Sequence, residues 1–236
     1  MKCVLLAGGK GTRLMEETLI KPKPLVEIGG KPILWHIMKS YSHYGIKEFV
    51  ICLGYKGGQI QEYFSNLDEN DWDCTFVDTG LDTMTGGRLK RVQKQVEDQT
   101  FCFTYGDTVN DLDISKVVEF HTKIGTMATV TACIPPEKYG ILQLNGDIVE
   151  DFKEKPKEEK NWVNGGYFVL EPGIFDFIDN DPATVWEEEP LKNLAIGGKL
   201  AAYKHHGFYQ PMDTLRDKIK LNELWDSGNA RWKVWN

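Results

Sequence analysis

A chain of 236 residues, 41% hydrophobic and 27% charged, can bury one sizeable core, and that make-up excludes a disordered chain. A formal net charge of −7 excludes binding to nucleic acid through broad phosphate neutralisation and leaves small ligands in a local basic cleft as the expected partners. The five cysteines (Cys3, Cys52, Cys74, Cys102, Cys133) form no C-x-x-C pair and sit mostly in apolar runs, as reduced core thiols of a cytoplasmic protein do, and without a signal-peptide core or a run of about 20 apolar residues no membrane role is expected.

In chain order, residues 3–7 and 49–53 are wholly apolar and read as strands buried on both faces of a parallel sheet. Between them, residues 32–41 read as a helix that opens on Pro32 and stops before Gly45, completing a βαβ unit. A helix at 59–64, a strand at 74–77, an amphipathic helix at 88–96 and a strand at 101–105 continue the alternation. The second half reads differently, with strands at 128–133, 140–144, 148–152 and 163–170 and few helices between them. Asn145-Gly146 signals a hairpin, the charged run 153–160 an exposed loop, and residues 184–196 and 214–225 the closing helices. The expected fold is α/β: one Rossmann-like domain over 1–236, with a mixed, mostly parallel sheet flanked by helices.

The first strand runs into Leu5-Leu6-Ala7-Gly8-Gly9-Lys10-Gly11-Thr12-Arg13-Leu14. A Walker A loop needs Ser or Thr after its Gly-Lys, and here Gly11 follows Lys10. A dinucleotide fingerprint needs a third glycine, and here Leu14 stands in its place. What remains is a plain turn, or a loop whose glycines let backbone N–H groups approach an oxygen-rich anion with Arg13 beside it. Lys21-Pro22-Lys23-Pro24 follows, and its prolines point to two amines held on an extended segment. Together the two stretches supply the donors a polyphosphate needs.

The glycine stretch, followed by Lys21-Pro22-Lys23-Pro24-Leu25-Val26-Glu27-Ile28-Gly29-Gly30-Lys31-Pro32, resembles the signature of the sugar-1-phosphate nucleotidylyltransferases. Through Met84-Thr85-Gly86-Gly87-Arg88, Tyr105-Gly106-Asp107, Glu154-Lys155-Pro156, Val163-Asn164-Gly165-Gly166 and Gln210-Pro211-Met212-Asp213, the chain is similar to the branch that acts on CTP and glucose 1-phosphate. The resemblance implies the nucleotide-diphospho-sugar transferase fold, synthesis of CDP-glucose with release of pyrophosphate, Mg²⁺ as cofactor, and service to cell-surface polysaccharide biosynthesis. It implies that Leu6, Gly8, Gly9, Gly11, Thr12 and Arg13 hold the nucleotide, with Arg13 on the leaving pyrophosphate and Lys23 on the α-phosphate. Asp107 and Asp213 are the implied metal ligands, matching the preference of Mg²⁺ for one or two carboxylates plus phosphate oxygens. Thr85, Gly86 and Arg88 are implied at the base and phosphate, and Gly140, Glu154, Lys155 and Asn164 at the sugar.

Two departures from the family pattern are Thr108 where glycine commonly follows the first aspartate, and a short segment between residues 62–64 and 77–80. Thr184 and Glu187 match a capping box, which assigns Glu187 to a helix start and leaves it out of the site. The histidines show no ligand spacing and read as structural. A homo-oligomer is expected, because relatives assemble and because Trp225, Trp232 and Trp235 crowd a tail too short to bury them. Uridylyl or thymidylyl transfer, a nucleotide-sugar-dependent glycosyltransferase and a non-catalytic nucleotide-sugar sensor are the alternatives.

Overall fold

The computed structural model describes residues 1–67, 71–135, 141–153 and 162–235. The first half contains β1 (Lys2–Leu6), α1 (Met15–Thr18), β2 (Glu27–Ile28), β3 (Lys31–Pro32), α2 (Ile33–His43), β4 (Glu48–Leu53), α3 (Gly57–Ser65), β5 (Asp73–Asp78), α4 (Thr85–Arg91), α5 (Gln93–Val96), β6 (Phe101–Tyr105) and β7 (Thr108–Asn110). It continues through α6 (Ile114–Ile124), β8 (Ala128–Cys133), β9 (Ile141–Asn145), β10 (Ile148–Lys153), β11 (Val163–Leu170), α7 (Glu189–Ile196), β12 (Leu200–His205), β13 (Tyr209–Pro211) and α8 (Leu215–Asp226).

Seven strands form one sheet in the order β12-β8-β11-β6-β1-β4-β5. All neighbours run parallel except β11, which is antiparallel to both β6 and β8. This is the expected mixed, mostly parallel α/β sheet. Alternate side chains of the apolar strands enter two cores. Cys3, Leu5, Phe49 and Ile51 face α2, whereas Val4, Val50, Phe101, Phe103 and Phe168 face Leu89, Phe175 and Trp186. β1 and β6 are buried on both sides, which is why they read as unbroken apolar runs.

Several elements differ from the sequence expectation. The helix expected over 88–96 begins earlier, at Thr85, and breaks between Arg91 and Gln93. The helix expected from 184 begins at Glu189, with Glu188 as its uncapped N-cap, so the Thr184/Glu187 capping box does not form. Helix α6, capped by Asp113 and closed by Gly125 at φ 70°, was not expected, nor were β7, β12 and β13. The hairpin turn lies one residue later than the Asn145-Gly146 signal, with Asn145 paired to Ile148.

The tryptophan-rich tail is also corrected. Trp232 and Trp235 are 1% and 9% exposed, covered by α2 of the same chain. Trp235 packs edge-on against Trp35, Trp232 stacks on Phe208, and the Trp232 indole N–H donates to Nδ1 of His36 at 3.3 Å. The aromatic-tail argument for a homo-oligomer therefore fails.

Candidate active site

A cleft of about 370 Å³ opens at the carboxyl ends of β1 and β6, where open α/β sheets gather their ligands. Gly11 sits at φ 63°, a left-handed conformation that lets the chain turn after Gly9, and a Cβ built on Gly9 would meet nothing within 4 Å. Backbone can therefore approach a ligand there, as the sequence suggested, and Leu6, Gly8, Thr12 and Arg13 line the same cleft. The loop leans toward β4 and β5: Tyr55 N–H donates to Gly8 O at 3.1 Å, and Lys10 pairs with Asp82 at 2.7 Å.

Arg88 lines the cleft, but its guanidinium is turned into the protein. Nη1 donates to Leu53 O, the Thr79 hydroxyl and Gly80 O at 3.0, 2.7 and 2.8 Å, and Nη2 donates to Gly8 O and Leu81 O at 3.1 and 3.2 Å. Burial lowers its pKa from the ordinary arginine value. The guanidinium thus forms a brace that ties the glycine loop to the ends of β4 and β5, a role the expected phosphate contact did not include. A Cβ on Gly8 would lie 2.1 Å from Nη1, so the first glycine of the loop makes room for this brace.

The Lys-Pro-Lys-Pro segment is not extended throughout. Pro22 is extended at φ −66°, ψ 150°, and residues 23–25 close a 3₁₀ turn. The turn separates the two amines: Lys21 pairs with Glu27 at 2.8 Å, while Lys23 is buried beneath the cleft. Its Nζ donates to Asp107 Oδ2 at 2.7 Å and Asp213 Oδ1 at 2.8 Å, and Arg13 donates to the other oxygen of Asp213 at 2.9 Å. Burial opposes the charge on Lys23, but Asp107 and Asp213 outweigh it, so the lysine pKa is raised. Asp213 is not the cap of α8; Thr214 is, in a box with Asp217. Thr108, the departure from the family pattern, donates its hydroxyl to Asp107 Oδ1 at 3.2 Å.

Two carboxylates that converge on one ammonium form a donor set of hard oxygens already arranged around a positive charge. Among the described residues no group of three or more His, Cys, Asp or Glu forms a protein cage. That set fits a Mg²⁺ ion completed by phosphate oxygens.

On the far wall stands Glu187, which the sequence left out. Thr85 donates to Glu187 Oε2 at 2.6 Å, and the Tyr105 hydroxyl donates to Oε1. Burial, then the nearby Glu187 charge, pushes the Tyr105 pKa up and keeps that proton in place. Asn164 in turn donates to the Tyr105 oxygen at 3.2 Å. Gly86 packs tightly on the segment before Glu187, since a Cβ there would lie 2.9 Å from Thr184 O. Spatially, Asn164, Tyr105, Thr85 and Glu187 are brought together, whereas Gly140, Glu154 and Lys155 lie outside the described residues. The missed signal for Glu187 was its neighbour Trp186, a large apolar residue pinned in the core and carrying the next side chain to the cleft.

Residues 2–226 match the model of the family described as nucleotidyl transferase. The chain is 54% identical over 257 residues to a glucose-1-phosphate cytidylyltransferase of Salmonella typhimurium, with 100% of each chain covered. It is 32% identical to a mannose-1-phosphate guanyltransferase of Yarrowia lipolytica over 91% of this chain and 62% of that one. The crystal structure of HddC from Yersinia pseudotuberculosis superposes with a TM-score of 0.77 at 25% identity, covering 95% of this chain and 99% of that one. The chain belongs to the nucleotidyl transferase family.

Proposed function

We propose that residues 1–236 act as one nucleotidylyltransferase domain that transfers a cytidylyl group from CTP to glucose 1-phosphate, releasing pyrophosphate and forming CDP-glucose. The observation that carries this reading is Lys23, buried between Asp107 and Asp213 beside an open glycine turn. An oxygen of the sugar phosphate attacks the α-phosphorus. A new P–O bond forms as the bond to the oxygen bridging to the β-phosphate breaks, and pyrophosphate carries that electron pair away. No protein nucleophile is needed, so the chain's task is to position two anions and to meet the charge that develops between them.

Lys23 holds a fixed ammonium where the α-phosphate would lie, and this charge counts most as the phosphorus gains its fifth oxygen. Arg13, paired with Asp213 but 71% exposed at its side chain, would leave that carboxylate to swing onto the departing pyrophosphate, while the amides near Gly9 and Gly11 hold the phosphates in line. Asp107 and Asp213 would hold the Mg²⁺, whose chemistry is to neutralise phosphate charge. Thr85 and Gly86 border the nucleotide and Asn164 the sugar. The substrates are small molecules, the setting is cytoplasmic, and among the described residues no helix is long and apolar enough to cross a membrane.

Pyrophosphate release is the test, measured with glucose 1-phosphate, Mg²⁺ and each of the four common ribonucleoside triphosphates plus dTTP. Turnover is expected with CTP. No turnover with any triphosphate refutes the reading, and preference for UTP or dTTP replaces cytidylyl with uridylyl or thymidylyl transfer. A homo-oligomer is inferred from the family alone, and a monomer by sedimentation at micromolar concentration refutes it.

A further inference from the structure

Among the described residues two acidic side chains line the cleft, and they stand in different company. Asp107 bears the Lys23 ammonium, whereas among the described residues no cation sits on Glu187, whose oxygens accept only from the Thr85 and Tyr105 hydroxyls. An unneutralised carboxylate repels phosphate, so in a cleft built for polyanions it must face a neutral part of a substrate. Each hydroxyl occupies one site of a carboxylate oxygen and leaves a further lone pair for a donor from the cleft. The carboxylate is thus oriented and still unsaturated.

The sheet decides which neutral part that is. The glycine loop follows β1 and leans toward β4 and β5 through Tyr55, Arg88 and Asp82. Tyr105 is on β6 and Asn164 on β11, the next two strands in the opposite direction. In-line displacement places the attacking group on the side of the α-phosphorus away from the leaving pyrophosphate. With pyrophosphate on the glycine loop and the α-phosphate at Lys23, the attacking sugar phosphate extends toward β6 and β11. Tyr105 and Asn164 lead to Glu187 there.

We propose that Glu187 is a specificity residue for the sugar, accepting a hydrogen bond from a hexose hydroxyl, with Thr85 and Tyr105 as positioning residues that aim its two oxygens. The inference rests on the nucleotidyl-transfer reading and deepens it. A polar site built to hold one hydroxyl discriminates strongly against an analogue lacking it, because its own groups are then left without a partner.

The test uses wild type, Glu187→Gln and Tyr105→Phe with CTP against glucose 1-phosphate and its 2-, 3-, 4- and 6-deoxy analogues, together with CTP/UTP selectivity and thermal melting. Wild type should lose roughly tenfold or more in kcat/KM on at least one analogue. Glu187→Gln should lose roughly tenfold on glucose 1-phosphate with KM for CTP unchanged, and the penalty for that one analogue should shrink to about twofold, because the charge-assisted bond is gone. Tyr105→Phe, which keeps the carboxylate but frees one oxygen, should fall between, and it carries the same test if Glu187→Gln melts too early to assay. Unchanged penalties for every analogue in the variants overturn the inference, as does lower melting with discrimination intact, which would make Glu187 a brace for α4. A loss of CTP over UTP selectivity with sugar discrimination intact also overturns it, making Glu187 a reader of the base. A wild type without turnover on any triphosphate refutes nucleotidyl transfer itself and removes the inference with it, so the two failures are seen in different enzymes.

Discussion

Replacing Arg88 by methionine keeps a long apolar stem in place and removes only the guanidinium. Arg88 is 4% exposed, and its loss removes one donor each from Leu53 O, Gly8 O, Gly80 O, Leu81 O and the Thr79 hydroxyl, although Gly8 O keeps the Tyr55 N–H and Leu53 O keeps the Thr79 N–H and hydroxyl. The contacts to Gly80 and Leu81 are only partly buried, so water from the cleft can replace them. The three buried contacts cannot be replaced so easily, and at about 0.5 to 1.5 kcal/mol each, the net worth of a bond whose acceptor keeps another partner, the loss comes to about 1.5 to 4.5 kcal/mol. For a chain of this length that corresponds to a melting point lower by about 5 to 10 °C. Scanning calorimetry of the ligand-free protein measures it, with nucleotide KM determined alongside below the transition. A variant that melts within about 2 °C of wild type while its KM for nucleotide rises would mean that Arg88 contacts phosphate, and the brace would be wrong.

Lys23→Ala should lower kcat and kcat/KM together by about 10² to 10³ with nucleotide binding largely kept, and added Mg²⁺ should not restore the rate. Asp107→Ala should instead recover part of its rate as Mg²⁺ is raised; steady-state kinetics across a Mg²⁺ series compare the two, and near-normal kcat in Lys23→Ala refutes the assignment. Burial lowers the His36 pKa from 6.5 to about 4, while Nε2 keeps its contact to Ile28 O at 2.8 Å. Between those values the unfolded chain binds a proton that the folded chain refuses. Stability present above pH 6.5 is therefore lost as pH falls toward 4, by about 3 kcal/mol, and urea unfolding at pH 7.5, 5.5 and 4.5 should follow that slope. A flat profile refutes it.

The parts of this fold that were legible in sequence are those whose signal is local. The runs at 3–7 and 49–53 are apolar because both faces are covered, and Pro32 to Gly45 marks a helix at both ends. Helix α6 was legible in principle from Asp113 and Gly125, but its middle, Ser115, Lys116 and Glu119, is exposed and dilutes the apolar period. Strand β12 presents alternate half-exposed residues at the edge of the sheet, with little to distinguish it from a loop. Among site residues, the glycine turn, Lys23 and the two aspartates carried a family pattern, and the structure brings them together. Where Arg88 and Glu187 point was not legible for the same reason: each matched a plausible local role, and only the packing of residues far away in sequence fixes the direction of the charged end.

The Lys23–Asp213 and Arg13–Asp213 pairs join residues 190 and 200 positions apart. During synthesis the basic side of the cleft therefore leaves the ribosome long before its acidic partner exists, by roughly 10 to 40 s at ordinary elongation rates of about 5 to 20 residues per second. In that interval Lys23 has no Asp213 to help offset its burial, and the 3₁₀ turn that carries it has little reason to seat. Such long-range contacts close late because the entropy of bringing distant segments together must be overcome before they contribute. The nascent chain can thus acquire β1, α2 and β4 as a packed unit while remaining catalytically silent, with activity appearing only when the segment around Asp213 docks.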